Sequence, residues 1–65
     1  MTILVNGRAQ ALSELQTLAD LLLTLNPQRP FAVSRNEEFI PREDYGDCCI
    51  SPGDRIDIVH PTAGG

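Results

Sequence analysis

The chain ends in two glycines, Gly64 and Gly65, and the carboxylate of the last one is the group best placed to do chemistry. Glycine has no Cβ, so the backbone behind this carboxylate is thin enough to enter a narrow active site of another protein. Pro61 cannot donate to a sheet ladder, which predicts that regular structure stops there. The five residues from Pro61 to Gly65, which include Thr62 and Ala63, are expected to form a flexible arm with a maximum reach of roughly 16 to 18 Å. The alternative is ordinary fraying of a chain end.

Length and composition indicate one small folded domain over residues 1–60, followed by the tail at residues 61–65. The chain has 65 residues, of which 42% are hydrophobic, so it can build one core but has little room for an enclosed active site. The net charge is -4 and the five basic residues are scattered, so we expect no nucleic acid partner. The longest apolar runs are too short for a membrane span or a signal peptide, so we expect a soluble protein without a membrane partner.

Cys48, Cys49 and His60 do not form a convincing reactive site. The two cysteines are adjacent, too close for an ordinary disulfide and closer than zinc sites normally space their ligands. We interpret one cysteine as a small core residue and the other as a surface residue, in a reducing cytoplasm. One histidine and two adjacent cysteines supply no nucleophile with a base and an orienting group, so an independent enzyme is the least favoured interpretation.

The first half of the chain predicts a hairpin followed by a helix. Thr2–Val5 is apolar and β-branched, Asn6-Gly7 is a strong hairpin signal, and a return strand is expected over residues 8–12. Leucines at 18, 21, 22 and 25 recur with the spacing of one helical face, which indicates a core-facing stripe. Thr17 is the preferred cap of this helix, with a capping box of Ser13 and Gln16 as the alternative, and Asn26-Pro27 ends it.

The second half predicts three strands. They are expected at 31–35, at 39–40 and at 55–59, with a turn at 36–38, one helical turn or a loop at 42–45, and a turn at 51–54. In the last strand Ile56 and Ile58 point inward while Val59 points outward. The order of elements predicts an α+β fold, a mixed sheet of four to five strands curled around one main helix. The first and last strands are expected side by side in its centre.

The outward face of this sheet is the predicted docking surface. Leu4, between inward Ile3 and Val5, is expected to point outward alongside Val59, where two exposed apolar side chains can anchor a partner. The alternative is that these are isolated surface hydrophobes without function. Most acidic side chains are expected to be solvated or to steer a basic partner, while Asp54 serves its turn.

Five short stretches match the local motifs of one protein family. They are Val5-Asn6-Gly7, Thr17-Leu18-Ala19-Asp20-Leu21-Leu22, Ile40-Pro41-Arg42-Glu43, Pro52-Gly53-Asp54-Arg55-Ile56-Asp57-Ile58-Val59 and Gly64-Gly65. On these residues the chain resembles the ThiS family, the small sulfur carriers of thiamine biosynthesis, which have the β-grasp or ubiquitin-like fold. The Gly-Asp turn, the final strand and the Gly-Gly end are shared with the molybdopterin-synthase small subunit, and His60-Pro61 is similar to that branch. The Ile-Pro-Arg-Glu stretch favours the thiamine branch.

The resemblance implies a carrier that other enzymes act upon. An adenylyltransferase of the ThiF type, related to the enzymes that activate ubiquitin, adenylates the Gly65 carboxylate, and a sulfur donor enzyme converts it to a thiocarboxylate for thiazole synthase. ATP and Mg²⁺ belong to the activating partner, because this chain has no phosphate-binding loop and no lysine; we expect no cofactor or metal on it. The chain alone is expected to be a monomer. The molybdopterin branch, a ubiquitin-like modifier and a non-catalytic interaction module are the alternatives.

Overall fold

The fold is organised around a mixed sheet whose middle strand is the last one in the chain. A computed structural model describes residues 1–61. From the N-terminus the elements are β1 (Thr2–Val5), β2 (Arg8–Ala11), α1 (Leu18–Leu25), β3 (Ala32–Arg35), β4 (Glu38–Ile40), a 3₁₀ helix (Arg42–Asp47) and β5 (Arg55–Val59). The strand order is β2-β1-β5-β3-β4, with β5 parallel to β1 and antiparallel to β3. The predicted α+β fold, with the first and last strands paired at the centre, is confirmed.

The first hairpin follows directly from Asn6-Gly7. Both residues have positive φ, 51° and 82°, as a two-residue turn of the primed type requires. The return strand β2 ends at Ala11, one residue earlier than predicted. Leu12 is buried in the core, and its N–H donates to the Met1 carbonyl over 2.7 Å.

Helix α1 begins where Thr17 caps it. The Thr17 hydroxyl accepts from the N–H of Asp20 and the Asp20 carboxylate accepts from the N–H of Thr17, each over 3.2 Å. This capping box confirms Thr17 as the cap and excludes the alternative that starts at Ser13. Asn26, in the left-handed region with φ 48°, ends the helix by donating its N–H to the Leu22 carbonyl.

The second hairpin is tighter than predicted. Asn36 and Glu37 both have positive φ, 51° and 71°, so the turn has two residues and β4 already starts at Glu38. The predicted three-residue turn at 36–38 was therefore one residue too long. The helical turn after Pro41 is longer than predicted and continues as a 3₁₀ helix to Asp47.

The core lies between α1 and the inner face of the sheet. Each strand near the centre contributes inward residues, and α1 contributes its leucine stripe, as the spacing predicted. The buried apolar residues are Ile3, Leu12, Leu18, Leu21, Leu22, Val33, Ile50, Ile56 and Ile58. None of the helices within residues 1–61 has the length and apolar character needed to cross a bilayer.

Candidate functional site

The candidate site begins where the central strand ends. β5 pairs with a strand on each side, its last residue is Val59, and the exposed residues His60 and Pro61 follow it. The tail predicted to carry the chemistry continues from this point. Four of its predicted site residues lie outside the described residues: Thr62, Ala63, Gly64 and Gly65.

The start of β5 is held by the buried side chain of Asp54. One of its carboxylate oxygens accepts from Arg35 Nε at 2.9 Å and from the N–H of Ser51 at 2.8 Å. The other oxygen accepts from the side-chain amide of Asn36 at 3.2 Å. Asp54 is 7% exposed, so it belongs to the structure and not to the solvated acidic surface. The prediction that it serves its turn is confirmed.

These contacts keep Asp54 ionised. Burial by itself would raise the pKa of its carboxyl, but hydrogen bonds from the Ser51 N–H, the Asn36 amide and the Arg35 guanidinium outweigh burial and lower the pKa below its ordinary value. The hydrogen bond to Asp54 in turn raises the pKa of Arg35. The result is an ion pair between the buried carboxylate of Asp54, at the start of β5, and the partly exposed guanidinium of Arg35, at the end of β3.

The far half of β5 is held by Asn6. The β1 strand ends at Val5, and beyond it the side-chain oxygen of Asn6 accepts from the N–H of Ile58 at 2.7 Å. The N–H of Asn6 itself donates to the Ile56 carbonyl at 2.9 Å. The side chain of Asn6 thus adds one hydrogen bond to β5 beyond the end of β1, and it supports β5 close to the tail. The sequence marked this asparagine as a turn residue only, and its contact with a strand 52 positions away is visible only in the fold.

His60 contacts the aromatic ring of Phe31. The two ring centroids are 6.4 Å apart, with an angle of 61° between the ring planes, an edge-to-face arrangement. Phe31 directly precedes β3, so this contact joins the residue after β5 to the start of the neighbouring strand. It gives the exposed histidine a packing role at the base of the tail.

Leu4 and Val59 share the outer face of the sheet, but they do not lie alongside each other. Leu4 is 39% exposed and pairs with Arg55, whereas Val59 is 59% exposed and pairs with Ala32. The two positions are four residue steps apart along β5, which corresponds to roughly 13 Å. The intervening surface holds an ion pair of 3.1 Å between Arg55 and Asp57. The prediction that Leu4 points outward alongside Val59 is therefore correct in direction and wrong in position.

The residue next to Val59 on this face is instead Ala32 of β3, and the exposed Phe39 lies on the strand beyond it. Val59 pairs with Ala32 on β3, and Phe39 pairs with Ser34, so that Phe39 and Ala32 are diagonal neighbours on the outer face. Phe39 is 64% exposed. We call Val59, Ala32 and Phe39 the outer-face patch. Prediction of a two-residue turn at Asn36 and Glu37 would have revealed this patch from the sequence, because such a turn sets Phe39 opposite the outward-facing Ser34.

The two cysteines have the separate roles predicted for them. Cys48 is half-buried and packs against the core, and Cys49 is exposed. Both are free thiols, and the Sγ of Cys48 accepts from Arg35 Nη1 at 3.8 Å. Among residues 1–61 no three His, Cys, Asp or Glu side chains are grouped so that they can hold a metal ion.

Comparison with known proteins identifies the family. The model of the ThiS family matches residues 3–65, which includes the tail. The chain belongs to the ThiS family. The match covers the strands, the helix and the two final glycines, so the features described above are those of a ThiS-family protein.

Solved structures extend the likeness of this ThiS-family chain to three dimensions. The crystal structure of a thiamine biosynthesis protein (ThiS) from Geobacter metallireducens superposes with a TM-score of 0.88 at 25% identity, and the match covers 100% of both chains. The solution structure of a thiamine biosynthesis protein from the same organism has a TM-score of 0.80 at 25% identity, covering 100% of this chain and 88% of the other. The β-grasp fold of the described residues is therefore shown.

A curated relative is longer than this ThiS-family chain. It is a thiazole synthase from Paramagnetospirillum magneticum (strain ATCC 700264 / AMB-1), 33% identical over 66 residues. The match covers 100% of this chain but only 20% of the relative, so the chain spans about a fifth of that protein's length. In that relative, a region similar to this chain is part of a polypeptide named for the synthase.

Proposed function

We propose that this chain is the sulfur carrier of thiamine biosynthesis and that the carboxylate of Gly65 carries the sulfur. The observation that supports this most directly is the ThiS-family match, which continues to residue 65 and so includes the glycine pair. The full-length likeness to a thiamine biosynthesis protein supports the same pathway. In this proposal the chain is a protein cosubstrate acted on by partner enzymes, and not itself an enzyme.

Activation of the carboxylate explains the need for a partner with ATP. Sulfide cannot displace oxide from a carboxylate, whereas an acyl-adenylate is a mixed anhydride from which AMP leaves readily. We assign this step to an adenylyltransferase of the ThiF type, which brings ATP, Mg²⁺ and the cationic side chains that phosphate chemistry requires. The donor enzyme then supplies sulfide (HS⁻), which attacks the carbonyl carbon of Gly65; a C–S bond forms, the C–O bond to AMP breaks, and the proton is released to solvent.

The acceptor in this proposal is thiazole synthase. The thiocarboxylate is ionised at neutral pH and is a good nucleophile, so it can deliver its sulfur to an electrophilic intermediate held by that enzyme. The curated relative supports the pairing, since a region similar to this chain forms part of a polypeptide named thiazole synthase. We assign the cycle to the cytoplasm, where the free thiols of Cys48 and Cys49 stay reduced.

The folded domain presents the tail to its partners. β5 is held at its start by Asp54 and in its far half by Asn6, so the tail leaves from a firmly anchored strand. The outer-face patch lies beside this point and offers Phe39 and Val59 to the adenylyltransferase. Leu4 is a separate contact on the same face, roughly 13 Å along the strand. Docking of this kind positions the carboxylate for reaction.

Intact-mass measurement tests the proposal. The chain is incubated with the ThiF-type adenylyltransferase, ATP, Mg²⁺ and the sulfur donor enzyme, and we expect the mass gain that replacement of one oxygen by sulfur produces. A variant that lacks Gly65 is the control; we expect it to fold normally and to gain no mass. Covalent attachment to other proteins instead of this gain would indicate a ubiquitin-like modifier. Normal sulfur loading of the shortened variant would contradict the proposal.

A further inference from the structure

The helix side of the molecule has a groove that the proposed sulfur chemistry does not use. α1, the loop after it and the 3₁₀ helix border an open groove with a volume of about 480 Å³. Leu22, Phe31 and Tyr45 supply apolar surface, and Leu23 lies at the groove with 81% of its surface exposed. Exposed apolar surface of this kind, bordered by polar residues, marks interaction sites. We call it the helix-side groove.

The charge of the helix-side groove is opposite to that of the whole chain. Arg29 comes from the loop after α1 and Arg42 from the 3₁₀ helix, and both line the groove, which has no acidic residue in its lining. The chain as a whole has a net charge of -4. Within residues 1–61 neither arginine has a carboxylate partner in an ion pair. The groove therefore offers two cations beside apolar surface, which complements a carboxylate next to an apolar side chain.

The shape of the groove favours a protein segment over a small molecule. Small-molecule sites enclose most of their ligand. Here Leu23, Arg29 and Arg42 are all exposed, so a small ligand would remain largely in water. A segment on the surface of a second protein is shielded from water by the rest of that protein, so its docking can bury these three side chains.

The groove is continuous with the base of the tail. Phe31 lines the groove and also contacts the ring of His60, the residue after β5. A partner that holds the tail can therefore reach the groove from the same side of the molecule. The curated relative favours thiazole synthase as that partner, because a region similar to this chain is there part of a polypeptide named for the synthase.

We propose that the helix-side groove docks an acidic segment of thiazole synthase. An apolar side chain of that segment packs against Leu23 and Phe31, while its carboxylates face Arg29 and Arg42. This proposal rests on the proposed function, because it names a contact surface for the sulfur acceptor. It leaves the outer-face patch, on the other side of the sheet, to the adenylyltransferase.

Affinity measurements with purified thiazole synthase from the same organism test this assignment. The double variant R29Q/R42Q removes both charges and L23Q removes the exposed apolar contact; the matched control R8Q removes an exposed arginine of β2, outside the groove. We expect each groove variant to bind the synthase roughly 10-fold more weakly, and R8Q to bind within about twofold of the unmodified chain. Added salt is expected to weaken binding of the unmodified chain more than that of the double variant.

A parallel assay separates this proposal from the proposed function. All variants are loaded with sulfur by the adenylyltransferase and donor enzyme, and we expect the same mass gain in each. Unchanged synthase affinity in both groove variants, an equal loss in R8Q, or a loading defect without an affinity defect would overturn the groove proposal. Absence of sulfur loading in the unmodified chain would contradict the proposed function, while the synthase affinities would still decide the role of the groove.

Discussion

At the scale of single residues, side chains complete hydrogen bonds that the short strands leave open. The side-chain oxygen of Asn6 accepts from Ile58, and that of Asn36 accepts from the N–H of Arg55 at 2.9 Å. Both asparagines have positive φ, a conformation that asparagine tolerates better than most residues. Each therefore forms a tight turn and also supports β5, the strand that leads to the tail.

Replacement of Asn6 tests this support. Asn6→Gly keeps the positive φ but removes the oxygen that accepts from Ile58, and we expect a loss of about 1 kcal/mol in the free energy of unfolding. The exchange of the Ile58 amide hydrogen is expected to accelerate. Asn6→Asp is the matched control, since it retains an acceptor oxygen and tolerates the same φ. Equal stability of both variants in denaturant titrations, with unchanged hydrogen exchange at Ile58, would show that the contact contributes nothing.

The buried carboxylate of Asp54 predicts a dependence of stability on pH. Because its folded-state pKa lies below its ordinary value, the stabilisation is fully present above the ordinary value of about 3.9 and is lost as the pH falls through the folded-state pKa. Asp54→Asn is expected to be less stable at pH 7 by about 1–3 kcal/mol, and to lose part of the acid sensitivity.

Thermal unfolding between pH 7 and about pH 2 measures this effect, because the predicted loss lies below the ordinary pKa of the carboxyl. Asp44→Asn, at an exposed position of the 3₁₀ helix, is the control and is expected to follow the unmodified chain. If the Asp54 variant loses stability with falling pH as steeply as the unmodified chain, other carboxylates are responsible.

At the scale of elements, the register of the strands decides which side chains meet. The β3–β4 hairpin places Phe39 diagonally opposite Ala32, and the β3–β5 pairing places Val59 directly beside Ala32. β1 pairs with the start of β5, where Leu4 lies opposite Arg55, so Leu4 is distant from Val59 at the end of β5. The outer-face patch is thus a product of three strands.

A polar substitution in the outer-face patch tests its role. Phe39→Ser is expected to weaken binding to the ThiF-type adenylyltransferase roughly 10-fold, since central aromatic contacts carry much of an interface's binding energy. Stability is expected to change little, because Phe39 is 64% exposed. Leu15→Ser removes an exposed apolar side chain before α1 and is the control. Titration of each variant with the adenylyltransferase measures the affinities; equal affinities for both would remove Phe39 from the interface.

At the scale of the whole molecule, the two candidate docking surfaces lie on opposite sides of one small sheet. The outer-face patch lies on the face without a helix, and the helix-side groove lies beside α1 on the other face. Both adjoin the end of β5, the groove through the contact of Phe31 with His60. In the proposed cycle the same tail visits two enzymes in turn, and separate surfaces allow each enzyme to recognise the carrier without competing for one face.

The sequence by itself determined the elements and the fold class. Asn6-Gly7, the leucine stripe and Thr17 are local signals, in which backbone conformation, helical spacing and capping depend on neighbouring residues. Alternation in Arg55–Val59 predicted which side chains of the last strand are buried, and the structure confirms it. The proposal for Gly65 also comes from the sequence and the family match, since this residue lies outside the described part of the chain.

Only the tertiary structure decided which distant residues meet. The sequence showed Arg29 and Arg42 as scattered cations, yet both line one groove. The sequence also marked Asn6 as a turn residue, yet its side-chain oxygen accepts a hydrogen bond from the N–H of Ile58. Leu4 and Val59 were correctly predicted to face outward but were placed together wrongly. The physical reason is that periodicity specifies the face on which a side chain lies, whereas its neighbours on that face depend on the register between strands that are far apart in the chain.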